Sequence, residues 1–289
     1  MIVRWGDKLI EELAYRRCVI FTGSGLSAST KDKDDNSPPT WGAFINGFIK
    51  HLEAKGCSAG EVTFIKKKLE ENNYLMALQC IKENYDSGDY SKYLTDTFRL
   101  PNQIPSEGYK AIRDIDSKIV VTTNFDHLYE NICNAATTVS ANYYDLSKIT
   151  ANLKSPLNLV IKAHGSIQDV DKMIFSGTQY FKSRRDYPDF YRILEAMFLT
   201  HTVLFIGYSM NDPDIQLVLE GLASIKSAST PHYILTQKDD IPKSIRKYWS
   251  EAYNLNLIEY EGTNYENFIS SIELLRDEIN DFRSDRGMA

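Results

Sequence analysis

The sequence predicts an α/β fold, with a parallel sheet, helices on both of its faces and a mostly helical insertion after the first strand. Three observations predict it. Short apolar runs at Cys18–Phe21, Ile119–Val121, Leu159–Ile161, Val203–Ile206, Tyr233–Leu235 and Leu255–Tyr260 are rich in β-branched residues and mostly do not alternate with polar ones. That is the pattern of strands covered on both faces. Between most of these runs lie segments of helical periodicity, and strand alternating with helix implies a parallel sheet. The gap between the first and second runs holds several helical patterns and no convincing strand. A structureless loop of roughly ninety residues is rare, so a helical insertion explains the gap.

Taken in order, Met1–Arg17 is charged and amphipathic, without the apolar core of a signal peptide. The first strand is Cys18–Phe21. Lys31–Thr40 (KDKDDNSPPT) reads as a mobile loop, because its two prolines block a helix. Trp41, Phe44, Ile45, Phe48, Ile49 and Leu52 form one apolar helical stripe. Helices are also expected over Tyr74–Tyr85, Tyr90–Phe98, Phe190–Thr200 and Ile215–Ile225. The last helix places Phe268, Ile272, Leu275, Ile279 and Phe282 on one face.

Composition narrows the function. The chain has 289 residues with 43% hydrophobic and 25% charged, an ordinary globular balance. Lys plus Arg is 33 and Asp plus Glu 39, a net charge of −6. Nucleic-acid binding by direct contact wants a basic face, so it is not expected. Cys18, Cys57, Cys80 and Cys133 include no C-x-x-C pair, which argues against a zinc ribbon, and nothing suggests a disulfide framework. No run approaches the ~18 apolar residues of a membrane helix. A cytoplasmic protein without membrane association is expected.

Four unusual clusters each follow an apolar run directly. They are Thr22-Gly-Ser-Gly-Leu-Ser27, Thr122-Thr-Asn-Phe-Asp126, Lys162-Ala-His-Gly-Ser166 and Gly207-Tyr-Ser-Met-Asn-Asp212. Ligands of open parallel sheets bind outside the carboxyl ends of the strands. All four clusters therefore belong to one rim, and a nucleotide crevice is the leading reading. Gly23, Gly25 and Ala28 fit the loose G-x-G-x-x-A fingerprint, whose bland reading is a tight strand-to-helix turn. A nicotinamide dehydrogenase fails on spacing, since no second strand follows within ~30 residues. His164 is either a satisfied core histidine or a general base. Asn124 and Asp126 could cap a helix or hold a ribose hydroxyl or a water; the two roles are compatible. Ser209 and Asp212 could be turn and cap residues. Asp212-Pro213-Asp214 suggests a metal only weakly, because carboxylates before a helix usually serve its dipole, and no metal is expected. Lys66–Lys68 and Arg184-Arg185 read as solvated faces.

Together the clusters resemble the sirtuin family and its bacterial sirtuin-like branch, over roughly residues 18–215. Gly23-Ser-Gly-Leu-Ser27 is similar to the family's G-A-G-x-S, and Thr123-Asn-Phe-Asp126 to its T/Q-N-x-D. His164-Gly165 resembles the catalytic H-G, and Gly207-Tyr-Ser209 with Asp212 the later G-x-S loop of defence-associated members. The resemblance implies one sirtuin-like domain over 1–289. Residues 1–30 and 115–289 would form a Rossmann-like NAD-binding core, with 31–114 inserted. The four-cysteine zinc module of the protein-deacetylating members is absent, as is their D-F-R segment, so no zinc is expected. What the resemblance implies is an NAD+ glycohydrolase of bacterial antiphage defence, acting by NAD depletion in abortive infection. NAD would be its substrate and a homo-oligomer its form, with a HerA-type ATPase as a partner.

In that reading Asn124 and His164 are catalytic. Gly23, Ser24 and Gly25 cradle the pyrophosphate through backbone N–H groups, and Thr22, Ser27 and Gly207 are further NAD-binding residues. Asp126 binds a hydroxyl and faces the developing cation. Ser209 and Asp212 contact the adenosine side. An ordinary histidine pKa of about 6.5 would leave His164 mostly neutral, as a base requires. The 31–40 loop is a candidate lid, and no large fused sensor domain is expected. The competing readings are a catalytically silent nucleotide-binding subunit of an ATPase complex, an NAD-dependent protein deacylase and, last, a nuclease.

Overall fold

Successive residues of a strand point to opposite faces, and in this chain both faces of the inner strands are apolar. The computed structural model describes residues 3–99, 102–210, 212–223 and 231–288. In chain order they form α1 (Asp7–Ala14), β1 (Cys18–Thr22), α2 (Ser24–Ser27), α3 (Trp41–Ala54), α4 (Ala59–Glu70), α5 (Tyr74–Glu83), α6 (Ser87–Phe98) and α7 (Glu107–Ile115). Then come β2 (Ile119–Thr122), β3 (Thr138–Asn142), α8 (Leu146–Leu153), β4 (Asn158–Lys162), α9 (Gly177–Asp186) and α10 (Pro188–Thr200). The chain continues through β5 (Thr202–Ile206), α11 (Pro213–Ala223), β6 (His232–Gln237), α12 (Lys243–Tyr253), β7 (Leu255–Tyr260) and α13 (Tyr265–Asp285).

The seven strands form one sheet in the order β3-β4-β2-β1-β5-β6-β7. Every pairing is parallel, with Thr22 level with Thr122 on one side and with Ile206 on the other. Alternation divides the strand residues between two cores. Ile20, Val120, Val160 and Leu204 pack with α1, α7 and α13, including Ile272, Leu275 and Ile279. Val19, Phe21, Val121, Ile161 and Phe205 pack on the other face with Ile149, Phe190, Leu194 and Val218. Each fully buried side chain of this size contributes about 1.5–3 kcal/mol.

Helices α3 to α6 close a third core around Phe44, Phe48, Ile65, Leu78 and Leu94, which also takes in Phe125 and Phe175. Local sequence starts these helices. Thr40, after Pro38-Pro39, accepts from the Ala43 N–H and caps α3; Ser58 and Asn73 cap α4 and α5 in the same way. Helix α10 begins on Pro188, where a missing N–H does no harm.

Two differences from the periodicity have clear causes. Strand β3 has no apolar run to announce it. It is an edge strand, and Ala141 is its one buried residue. The helix expected over Ile215–Ile225 starts earlier, at Pro213, and positions 224 and 225 lie outside the described residues. Among the described residues no helix is long and apolar enough to cross a membrane.

Candidate active site

The sheet order brings the four polar clusters together. Strands β4, β2, β1 and β5 are consecutive neighbours, and each delivers one cluster at its carboxyl end. The order reverses around β1, which leaves a crevice at that rim. The loops after β1 and β5 touch backbone to backbone. Gly23 N–H donates to the Ile206 carbonyl at 3.1 Å and Gly25 N–H to the Gly207 carbonyl at 2.9 Å. A Cβ on Gly23 would lie 2.6 Å from the Gly207 oxygen. The Gly23 and Gly25 N–H groups, expected to cradle a pyrophosphate, thus donate here to the last residue of β5 and to the residue after it. Ser24 remains exposed to the crevice. Thr22 is buried as the last residue of β1 and lines no cavity among those described.

Ser27 ties the next cluster. Its hydroxyl donates to Asp126 Oδ2 at 2.7 Å, accepts from Asn124 Nδ2 at 2.9 Å, and lies 2.9 Å from the Tyr109 hydroxyl. One donor and two acceptor positions are thereby filled, the full capacity of a hydroxyl. Asn124 Nδ2 also donates to the Gly23 carbonyl at 2.9 Å. Both amide hydrogens are held, so Oδ1 is the atom left for a ligand. Asp126 Oδ1 accepts from the Leu128 N–H at 3.1 Å. Burial raises the Asp126 pKa above the usual carboxylate range, although the Lys162 charge and the Ser27 hydrogen bond oppose the rise.

His164 stands across Thr123 from this knot. Its ring is 3% exposed and packs edge-on against Tyr180. Nε2 lies 3.0 Å from Asp212 Oδ2, and Nδ1 is buried without a partner. Asp212, which the resemblance puts on the adenosine side, is engaged here by protein groups. It pairs with His164, accepts from the Tyr180 hydroxyl at 3.2 Å, and caps α11 through the N–H groups of Asp214 and Ile215. Burial disfavours both charges, but the pairing outweighs it, so His164 is raised and Asp212 lowered. His164 therefore sits above the ordinary value of 6.5 expected for it. Asp214 accepts from Arg184 and from the Tyr191 hydroxyl. His164, Asp212 and Asp214 are close enough to bracket a cation, but protein donors already hold both carboxylates.

Two cavities adjoin here. The larger, about 370 Å³, is lined by Ser24, His164, Tyr180, Gly207, Tyr208, Ser209 and Asp212, and on the helical side by Trp41 and Glu71–Leu75. That size falls within the range of small-molecule sites. The smaller recess, about 30 Å³, holds Ser27, Asn124 and Asp126 under Pro38, Pro39 and Phe98. Ser24, Trp41 and Thr123 line both. His164 and Asn124 thus face adjoining spaces rather than one open cleft. Gly25 lines neither.

Residues 118–258 match the SIR2-like domain. The matched segment carries Asn124, Asp126, His164 and Asp212. The chain is similar to the NAD(+) hydrolase ThsA of Enterococcus faecium, 28% identical over 256 residues, covering 86% of this chain and 49% of that protein. The NAD(+) hydrolase ThsA of Acinetobacter baumannii (strain 532279) is 22% identical over 233 residues, covering 80% and 45%. Defense-associated sirtuin 2 of Bacillus subtilis is 23% identical over 202 residues, covering 62% and 19%. The chain spans about half the length of these ThsA proteins.

Several residues of the site were not legible beforehand. Tyr180 sits on α9, outside every strand-end cluster, yet it bonds Asp212. Asn72 and Asn73 reach the cavity from the turn between α4 and α5, and Tyr74 from the start of α5. Trp41 reads as core in its apolar stripe, and the structure places it half-buried between the two cavities. Its position just after Pro38-Pro39-Thr40 was the available signal.

Proposed function

We propose that this chain hydrolyses the N-glycosidic bond of NAD, giving nicotinamide and ADP-ribose, as a cytoplasmic effector of bacterial antiphage defence that depletes NAD. The observation that carries the reading is the convergence of His164 and the Asn124–Asp126 knot on adjoining cavities at one sheet rim. The likeness to proteins named NAD(+) hydrolase supports it.

The chemistry needs few groups. The C1′–N bond breaks and its electron pair leaves with the pyridinium, which departs as neutral nicotinamide; no general acid is required. The ribose acquires oxocarbenium character, as in glycoside cleavage. The Asp126 carboxylate stabilises that charge. Asn124 Oδ1 orients a ribose hydroxyl or the incoming water. The water oxygen forms the new C1′–O bond and its proton passes to neutral His164. Ser24, Gly207 and Ser209 line the path of the remaining dinucleotide. The recess around Asn124 must widen to admit substrate, and the loop over residues 31–40, which contributes Pro38 and Pro39, is the lid we assign to it.

The test is chromatography of NAD after incubation with the protein, alone and with its genomic neighbours. Nicotinamide and ADP-ribose should appear in equal amounts. The recess around Asn124, at about 30 Å³, is too small for a ribose as it stands, which favours one second reading: nucleotide binding without turnover. Calorimetric binding of NAD with no nicotinamide released under any condition would establish that reading instead. Homo-oligomerisation or docking of a HerA-type ATPase is the regulation we propose. Mass photometry paired with the NAD assay examines it.

Asp212→Asn provides a pH test. Asp212 raises the His164 pKa, and the base must be neutral, so wild-type activity should climb with pH through that raised value. Removing the carboxylate charge lowers the histidine pKa, so the rising limb should move to lower pH by about one unit or more. Unchanged limbs in the two profiles would mean that His164 does not set the rate.

A further inference from the structure

One fully buried charge near the site has no part in the chemistry above. Lys162 ends β4, two positions before His164, and its side chain is 1% exposed. Charged lysines are almost never buried unless paired. Here Nζ donates to the main-chain carbonyl of Asp126 and lies 3.0 Å from Glu130 Oε1. Glu130, in a short 3₁₀ turn (Glu130–Ile132), also takes His127 Nδ1 at 3.2 Å. Burial opposes ionisation of Glu130, yet Lys162 and His127 hold its pKa down at about 2. Glu130 is therefore charged at neutral pH.

We propose that Lys162 is a positioning residue for NAD cleavage. Its buried ammonium, clamped by Glu130, pins the 123–126 turn so that the Asn124 amide and the Asp126 carboxylate meet the substrate in one fixed arrangement. This rests on the NAD-hydrolase reading for its kinetic consequence, though not for its structural one.

The geometry carries the assignment. The turn after β2 holds its two functional side chains through Ser27 from α2, and Ile167 N–H ties its backbone at the Phe125 carbonyl at 3.0 Å, which leaves the Asp126 carbonyl to a further anchor. Lys162 supplies that anchor from the neighbouring strand, β4. Its charge acts on Asp126 as well. The groups facing Asp126 are Lys162 from β4, Glu130 and Leu128 N–H from its own loop, and Ser27 from α2, with Tyr109 of α7 beyond Ser27. Lys162 is the one cation among them, and it outweighs the opposing Glu130 charge. The tie on the turn and the downward pull on the Asp126 pKa thus have one source.

Lys162→Met alone would leave Glu130 charged and buried, and the protein could fail to fold. The informative variant is the double Lys162→Met/Glu130→Gln, which removes both charges. Lys162→Arg keeps a cation and serves as the conservative rescue. Two readouts separate this proposal from the NAD-hydrolase reading. The first follows the Asp126 carboxyl by ¹³C NMR of aspartate-labelled protein, assigned with Asp126→Asn; it needs no turnover. Its midpoint should rise by about one pH unit or more in the double variant, with the Lys162→Arg value staying near wild type. The second is nicotinamide release at a fixed pH, whose kcat should fall in the double variant and stay near wild type in Lys162→Arg, with KM little changed. An Asp126 midpoint that does not move in a folded double variant overturns the proposal whatever the NAD assay gives. A moved midpoint with no NAD cleavage by the wild-type protein keeps the positioning role and rejects the NAD-hydrolase reading.

Discussion

His164→Ala protein is expected to release nicotinamide from NAD at least about 10²-fold more slowly than wild type, with 10⁴-fold the upper range for a lost acid–base group. Three features of the ring make this the largest kinetic effect expected at a single side chain. It is fully buried, so its proton exchange is governed by the site rather than by bulk water. It faces the larger cavity, where the ribose and the attacking water would sit. Its Nε2 is oriented by Asp212, the arrangement of a base held by a third group. The fold should survive the change. Asp212 keeps the Tyr180 hydroxyl at 3.2 Å and the Asp214 N–H at 2.8 Å, so its carboxylate is not left without partners. Circular dichroism and a melting curve on the same sample decide the matter. Lost turnover with a near-normal melt assigns His164 to chemistry, and a collapsed melt would make it a structural residue.

The parts of this architecture that the sequence displays are those written in contiguous residues. Val19–Phe21, Val120, Val160 and Leu204 announce buried strands because both faces of the sheet are covered. His164 and Asn124 stand out because a polar residue after an apolar run marks a strand's carboxyl end. Pairings between distant positions leave no such mark. Asp212 reads as a helix cap, which it is, and nothing local shows that its other oxygen meets His164. Ser27 reads as a motif serine, while its work is to join Asn124 and Asp126 of the turn after β2 with Tyr109 of α7. The inward turn of the Gly23 and Gly25 N–H groups depends on β5 lying beside β1, a fact of strand order alone. Burial of Lys162 is equally invisible, since a lysine at a strand end usually reaches solvent.

Gly207→Ala should be the most destabilising small substitution at the rim. Gly207 has φ +63°, and a Cβ there would lie 2.4 Å from the Leu26 nitrogen and 2.9 Å from the Gly25 carbonyl carbon. A left-handed conformation alone costs an alanine about 1–2 kcal/mol. The clash adds roughly 1–3 kcal/mol, because both obstructing atoms are backbone and cannot rotate away. A combined loss near 3 kcal/mol would lower the melting temperature by about 6–12 °C for a domain of this size. Gly60→Ala is the control: nothing lies within 4 Å of its Cβ position, and it sits in the first turn of α4. It should leave stability unchanged or raise it by up to about 1 kcal/mol. Turnover should fall with stability in Gly207→Ala, since displacing the loop after β5 also shifts Ser24 and the Ser27 knot on the β1 side. A Gly207→Ala protein that melts like wild type but no longer binds NAD would argue for direct ligand contact at this backbone. One that melts early and recovers binding on cooling would argue for loop packing. Melting temperature and NAD affinity, measured together, therefore distinguish the two reasons a glycine can be required at a nucleotide crevice.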